Sequence, residues 1–557
     1  MRTLRHLSYI GTTIFITSLA FLAGCTGDIA DAGEEDNPVG PGDTEDPGDP
    51  DVCIPGIPTT TQLPRLLNRE YDAVVKDLLG VEGLASEGNN PPSALLVPDQ
   101  EGSLNDIAWN SYLVAAERVA AEVMAGPNKS RFISCDPAAA GCLETTIRTF
   151  GRKAFRRPVT DEEVQRFMRL ATLEPQGTPA EIAEAILYAF LASPSFLMLP
   201  ELAEDKEGGA YKLSNHEVAT RLSFLLWDSV PDDELNAAAD AGQLTTKEQI
   251  LAQAQRMIGN REKTAPLVAT FHRVYADIRP GAHWATLEHD TTKYPEYSPD
   301  VVAPMMAEID AFFEEVTFQG GSFKDIFLSN VAYVNKDTAP LYGLKAADYG
   351  TELTRVELDP NERPGFLTRV GFLSSYSSYA STSPILRGAF ITTKLLGVPL
   401  QPAPGAEETP LPEGNFTTQR QVIEALTSPG GCVECHSAMV NPPGFVLERF
   451  DSIGKVQTVD PLGGQLDTTG DVFFGENNIK KITTPAELMT ELGAGPVAKR
   501  HYAEQWVAFA TGRTPNSKDA CVVDGLNAKL SNDGYTIVNL LADLTQADSF
   551  RLRVRGN

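Results

Sequence analysis

Leu213-Ser214-Asn215-His216-Glu217-Val218-Ala219-Thr220-Arg221-Leu222-Ser223-Phe224-Leu225-Leu226-Trp227 is the stretch that decides the fold class. Ser214 followed three residues later by Glu217 is a capping box, in which a hydroxyl and a carboxylate satisfy the free amides of a helix start. Behind it Val218, Leu222, Leu225 and Leu226 recur at the spacing of one helical face. The turn Ser229-Val230-Pro231 then breaks the run. The same grammar repeats on either side. Thr160 with Glu163 and Thr245 with Glu248 read as further capping boxes, and Thr178-Pro179 with Glu181 puts proline at a first helical position. The Leu, Phe and Trp stripes after these caps read as core. His216, His272, His283 and His289 show no ligand spacing and read as structural rather than functional. The pattern predicts a mainly α, multi-domain chain with little β: an N-terminal helical domain over 57–205, a central helical domain over 206–345 and a C-terminal region over 346–557.

Ahead of these domains, Arg2, Arg5 and His6 precede an apolar run from Ile10 to Phe21 that closes on Leu22-Ala23-Gly24-Cys25. A basic start, a short apolar core and small residues before a cut site make residues 1–25 a secretory signal, too short to span a bilayer. The Leu-Ala-Gly-Cys ending resembles the bacterial lipoprotein box, which implies cleavage before Cys25 and lipidation of its thiol. Several acyl chains on one cysteine anchor a protein stably. Thr26 rather than Asp follows, which points to the outer membrane, facing the periplasm or outward. Residues 26–56 are Gly, Pro, Asp and Glu with little that is apolar, a disordered acidic tether with a reach of about 30 Å.

The whole chain of 557 residues carries a formal charge of -29, which excludes nucleic acid and anionic lipid surfaces as natural partners. No Ser-His-Asp order, phosphate loop or carboxylate pair stands out. The chemistry is concentrated instead in Cys432-Val433-Glu434-Cys435-His436. Two thiols three positions apart can form thioethers with the two vinyl groups of one porphyrin, and the adjacent imidazole then faces the iron as proximal ligand. The alternatives are a local disulfide or half a zinc site. Zinc needs two further ligands, and the sequence has no second Cys-x-x-Cys and no His-x-x-x-His. A thioredoxin-like pair would follow a strand in a βαβ pattern, which is not seen.

Cysteine usage agrees with one haem c and export. Of seven cysteines, Cys25 is assigned to lipid and Cys432 and Cys435 to haem, leaving Cys53, Cys135, Cys142 and Cys521 for two disulfides in an oxidising compartment. Cys135 and Cys142 flank a short loop that could close locally, and Cys53 with Cys521 would tie the two ends; three connectivities stay open. For the distal side of the iron, Met489 lies on a helix opened by Thr484-Pro485 with Glu487, His501 is the next option, and Met439 is too near His436. Arg387, Arg420 and Arg449 are candidates to meet the haem propionates, or are ordinary surface and interdomain arginines. Gly and Asp among Val and Phe between Gln457 and Phe474 suggest a small hairpin or loop beside the haem.

Several segments resemble a family of large exported proteins of planctomycetes and myxobacteria, built from domains of unknown function 1587, 1595, 1592, 1588 and 1585. Arg65-Leu66-Leu67-Asn68-Arg69-Glu70-Tyr71 through Gly80 is similar to the opening module, and Ala154-Phe155-Arg156-Arg157-Pro158 with Ser193-Pro194-Ser195-Phe196 to the second. Leu213 through Trp227, then Tyr333-Val334-Asn335 and Tyr342-Gly343, resemble the third. Arg363-Pro364-Gly365-Phe366, Thr382-Ser383-Pro384-Ile385-Leu386-Arg387-Gly388 and Leu447-Glu448-Arg449-Phe450-Asp451 resemble the fourth, which contains the Cys-x-x-Cys-His. Phe509-Ala510-Thr511-Gly512-Arg513 is similar to the last. The resemblance implies an exported redox protein whose biochemistry is otherwise unassigned. The chain departs from the family pattern at Leu426, where a histidine is common, and at Asn441, where an aspartate is common.

The expectation is a lipid-anchored, exported protein with one covalent haem in a cytochrome c-like C-terminal region, passing electrons to a redox partner protein. An open sixth iron position would instead make it a haem oxidoreductase. If the cysteines are structural, it is a haem-free surface binding or scaffold lipoprotein.

Overall fold

A computed structural model describes residues 53–60, 63–84, 106–278, 287–400 and 412–555. The leader 1–25 with Cys25, nearly all of the tether and His283 lie outside the described residues. Helix accounts for 56% and strand for 8%, so the chain is mainly α. The expected caps start helices at Asp161, Pro179 and Asn215: Thr160, Thr178 and Ser214 each accept from the amide three residues on. One cap is displaced. Thr246, not Thr245, caps the helix Lys247–Gly259, because the Gln249 side-chain oxygen accepts from the amides of both Thr245 (3.0 Å) and Thr246 (3.1 Å). No helix among the described residues is long and apolar enough to cross a membrane.

The helix Asn215–Trp227 is buried without interruption from Leu222 to Trp227 because it is the seam between two cores. Phe224 and, beyond the turn, Val230 belong to an N-terminal core that begins at Leu66. Val218, Leu222, Leu225 and Leu226 belong to a larger core that runs from Leu213 to Phe550. That second core passes through residue 345 without a break. Trp506, near the end of the chain, stacks on Phe271 with centroids 3.5 Å apart, so the central and C-terminal regions share one interior.

The described strands are short: β1 (Thr59–Thr60), β2 (Lys206–Glu207), β3 (Ala210–Lys212), β4 (Val331–Val334), β5 (Thr354–Glu357), β6 (Gly470–Phe473), β7 (Ile479–Ile482) and β8 (Leu552–Arg555). β4–β5 and β6–β7 are antiparallel hairpins. Of the hairpin or loop read between Gln457 and Phe474, the Gly/Asp-rich part forms turns with single bridges such as Val459 to Gln465, and its end is the first strand of the hairpin β6–β7. The remaining sheet has the order β1-β8-β3-β2, with β1 parallel to β8, so it joins the start of the described body to its end. A disulfide from Cys53 to Cys521 reinforces this closure, and Cys135 is bonded to Cys142.

The larger core also encloses Glu308, fully buried on the helix Val302–Phe318. One of its oxygens accepts from the Tyr342 hydroxyl at 2.6 Å and the other has no partner. Burial pushes its carboxyl up to about 7. A carboxyl that holds its proton more tightly folded than unfolded loses stability as pH rises from its ordinary range to about 7, with no further loss above. His272, pushed by burial down to about 3, works in the opposite direction over part of that window, so a comparison with a variant isolates the effect. Glu308→Gln is expected to match the wild type near pH 4.5 and to exceed it at pH 8 by up to about 3 kcal/mol. Urea melts at the two pH values check this.

Candidate functional site

The Cys-x-x-Cys-His turn is built by a local conflict in the sequence. Cys432–Cys435 form one helical turn after Gly430, which takes φ +57°. Pro442 and Pro443 then lack the amides that an α-helix would need to reach the carbonyls four residues back. The chain widens into a π-turn over His436–Val440, closed by the Asn441 amide on the His436 carbonyl, before the helix Asn441–Val446 resumes. Such widened turns recur at functional sites. The carbonyl of Met439 is taken by the Thr392 hydroxyl at 3.0 Å.

The turn selects the tautomer of the neutral histidine. The Thr427 hydroxyl donates to the Ile423 carbonyl at 2.8 Å, so toward Asn441 it can only accept. Asn441 Nδ2 donates to it at 2.9 Å, and Asn441 Oδ1 therefore faces His436 Nδ1 at 3.1 Å. In the neutral ring Nδ1 is therefore the protonated nitrogen, and the lone pair is on Nε2. Asn441 and Thr427 are both buried, so the relay is shielded from water. A ring nitrogen held this way orients the other for a metal. Cys432 and Cys435 are free thiols, half-buried like His436.

Two glycines press this segment onto the core. A Cβ on Gly388 would lie 1.7 Å from the Val440 carbonyl oxygen, and one on Gly444 1.9 Å from that of Pro384. The helices Pro384–Phe390 and Asn441–Val446 thus touch backbone to backbone. Arg387, on the first, is fully buried and donates to the carbonyls of Leu447, Phe450, Asp451 and Leu373 at 2.8–3.1 Å. Glu448 beside it is held by the Thr382 hydroxyl at 2.6 Å, and burial raises its carboxyl to about 7.

The other sequence-designated residues are placed as follows. Arg387 is a clamp on backbone carbonyls, with both terminal nitrogens engaged and Nε buried without a partner. Arg420 pairs with Glu424 and Asp467 and lies over the Phe445 ring at 4.5 Å. Arg449 donates to the Gln457 carbonyl and pairs with Glu362 at 3.0 Å. Met489 is wholly buried in the larger core. His501 has Nδ1 on Glu504 at 3.1 Å and Nε2 against the Gln505 amide at 3.2 Å. Met439 is half-buried in the π-turn. No cluster of three His, Cys, Asp or Glu able to hold a metal ion occurs among the described residues. Sequence reasoning missed the Thr427–Asn441 relay and the glycine crossing. The signals were there in Asn441-Pro442-Pro443-Gly444 and in Arg387-Gly388.

Fold and site together define a mainly helical protein of several modules, closed on itself end to end, with one Cys-x-x-Cys-His turn pinned to its larger core. Residues 142–201 match Protein of unknown function (DUF1595), 213–344 match Protein of unknown function (DUF1592), 363–460 match Protein of unknown function (DUF1588) and 480–550 match Protein of unknown function (DUF1585). The chain belongs to the multi-domain family composed of these modules. The match over 363–460 contains the Cys-x-x-Cys-His turn. The likeness of 65–80 to an opening module rests on the sequence alone. No curated protein and no solved structure matches the chain.

Proposed function

We propose that the protein is an exported, lipid-anchored c-type haem protein that transfers electrons to a redox partner protein at the outer membrane. The observation that carries this reading is the His436–Asn441–Thr427 relay, which selects the neutral tautomer with its lone pair on Nε2, one residue beyond two free thiols. Those residues suit the group: Cys432 and Cys435 would hold it covalently and His436 would ligate its iron. When bound, haem c supplies one-electron chemistry. The chain's part is to fix the imidazole, through Asn441, and to brace the turn against the core, through Gly388 and Gly444. Two disulfides among the four remaining cysteines support export, and the Leu22-Ala23-Gly24-Cys25 ending supports lipidation.

A second reading, a haem oxidoreductase with an open sixth iron position, is favoured by one observation. Met489 is enclosed in the core and both ring nitrogens of His501 are engaged. Absorption spectra of the reduced mature protein with and without carbon monoxide separate the two. An unchanged spectrum supports a six-coordinate electron carrier, and a shifted one supports the open site. Absence of haem absorbance rejects both in favour of a surface scaffold.

A further inference from the structure

The two cores part at a cleft of about 140 Å³ beside the helix Asn215–Trp227. Leu199 and Phe224 line it from the N-terminal core, and Leu225, Val507 and Phe550 from the larger one. Phe224, Leu225, Val507 and Phe550 are each at most 9% exposed, so the apolar walls are core side chains rather than surface ones.

The charges of the lining are closed without a ligand. Its three arginines each form a two-pronged pair with a carboxylate of the same lining. Arg69 holds both oxygens of Asp228 at 2.8 and 3.1 Å, Arg513 both of Asp519 at 2.6 and 2.8 Å, and Arg221 both of Glu201 at 2.5 and 2.7 Å. The two remaining carboxylates have partners outside the lining. Glu217 accepts from the amides of Ala203 at 3.0 Å and Ser214 at 2.7 Å and is attracted by Arg553. Glu70 accepts from the Leu67 amide at 2.8 Å and is attracted by Arg156. Neither Arg553 nor Arg156 lines the cleft. A charged molecule entering it would give up its water without gaining an unspent counter-charge, whereas an apolar one gains the walls.

We infer that this cleft binds an uncharged apolar molecule the size of one ring. The volume sets the size, since an apolar cavity of about 150 Å³ takes up benzene. The closed charges set the class. The full mature protein is titrated calorimetrically with toluene, and with benzoate and benzylammonium, which carry the same ring with one negative or one positive charge. Toluene is expected to saturate with a Kd of about 1 mM or tighter, and each ion to bind at least about tenfold more weakly. Two variants that add bulk to the lining, Ala510→Phe on the helix Pro496–Thr511 and Ala547→Leu at the extended residue before the helix Asp548–Arg551, are each expected to weaken toluene by about tenfold or more. Thermal melts confirm the fold of each, and the smaller change at 547 keeps the test decisive if the larger one at 510 prevents folding. The Cys432→Ala/Cys435→Ala variant is expected to bind toluene as the wild type does, which separates this cleft from any haem. The inference is overturned if toluene does not saturate, if either ion binds as tightly as toluene, if the folded bulky variants bind as the wild type does, or if binding is lost with the two thiols.

Discussion

Gly444→Ala is expected to destabilise the protein by about 3 kcal/mol or more, or to prevent folding of the larger core. The added methyl would sit 1.9 Å from the carbonyl oxygen of Pro384, and a backbone atom cannot turn aside as a side chain can. Gly388→Ala meets the Val440 carbonyl oxygen at 1.7 Å and is expected to behave alike. Relief requires the helices Pro384–Phe390 and Asn441–Val446 to separate, which would also release the π-turn that carries His436. The comparison is Gly525→Ala, inside the helix Ser517–Leu530 with open space around its Cβ, where a gain of about 0.5–1 kcal/mol is expected. Urea melts of the three variants decide the matter. A small loss at both Gly388 and Gly444 would show that the two helices part at little cost.

The second large effect concerns the thiols. Mature wild-type protein is expected to keep haem colour on a denaturing gel, since thioether bonds survive unfolding. Cys432→Ala/Cys435→Ala is expected to lose it completely, and either single variant to retain one bond in lower yield. The double variant should still fold, because the other four described cysteines are already joined as Cys53–Cys521 and Cys135–Cys142. Two titratable thiols and no colour in the wild type would defeat the redox reading and leave the scaffold alternative.

Local signals in the sequence carried far, because helix starts depend on a few neighbouring atoms. Thr160, Thr178 and Ser214 declare their helices within four residues, and the alternation of Val218, Leu222 and Leu225 declares a buried face. Where two signals competed, as at Thr245 and Thr246, the side chain that reached both amides decided the start. Contacts between distant segments left weaker traces. That Phe224 would face a different core from its helical neighbours, or that Trp506 would stack on Phe271, depends on how whole modules pack. At the site, the five-residue motif was legible but its support was not. Arg387 reads equally well as an anion binder or a carbonyl clamp, and only the fold, which brings four carbonyls to it, selects the clamp.

The joining of β1 to β8 and of Cys53 to Cys521 has a mechanical consequence. A force applied to the chain ahead of Cys53 passes through that bond into the helix Ser517–Leu530 and the module around it. The helices from Asn68 onward lie on a side branch of the load path and feel little of it. A body held by the chain ahead of Cys53 would be carried by its last module, with its first module slack.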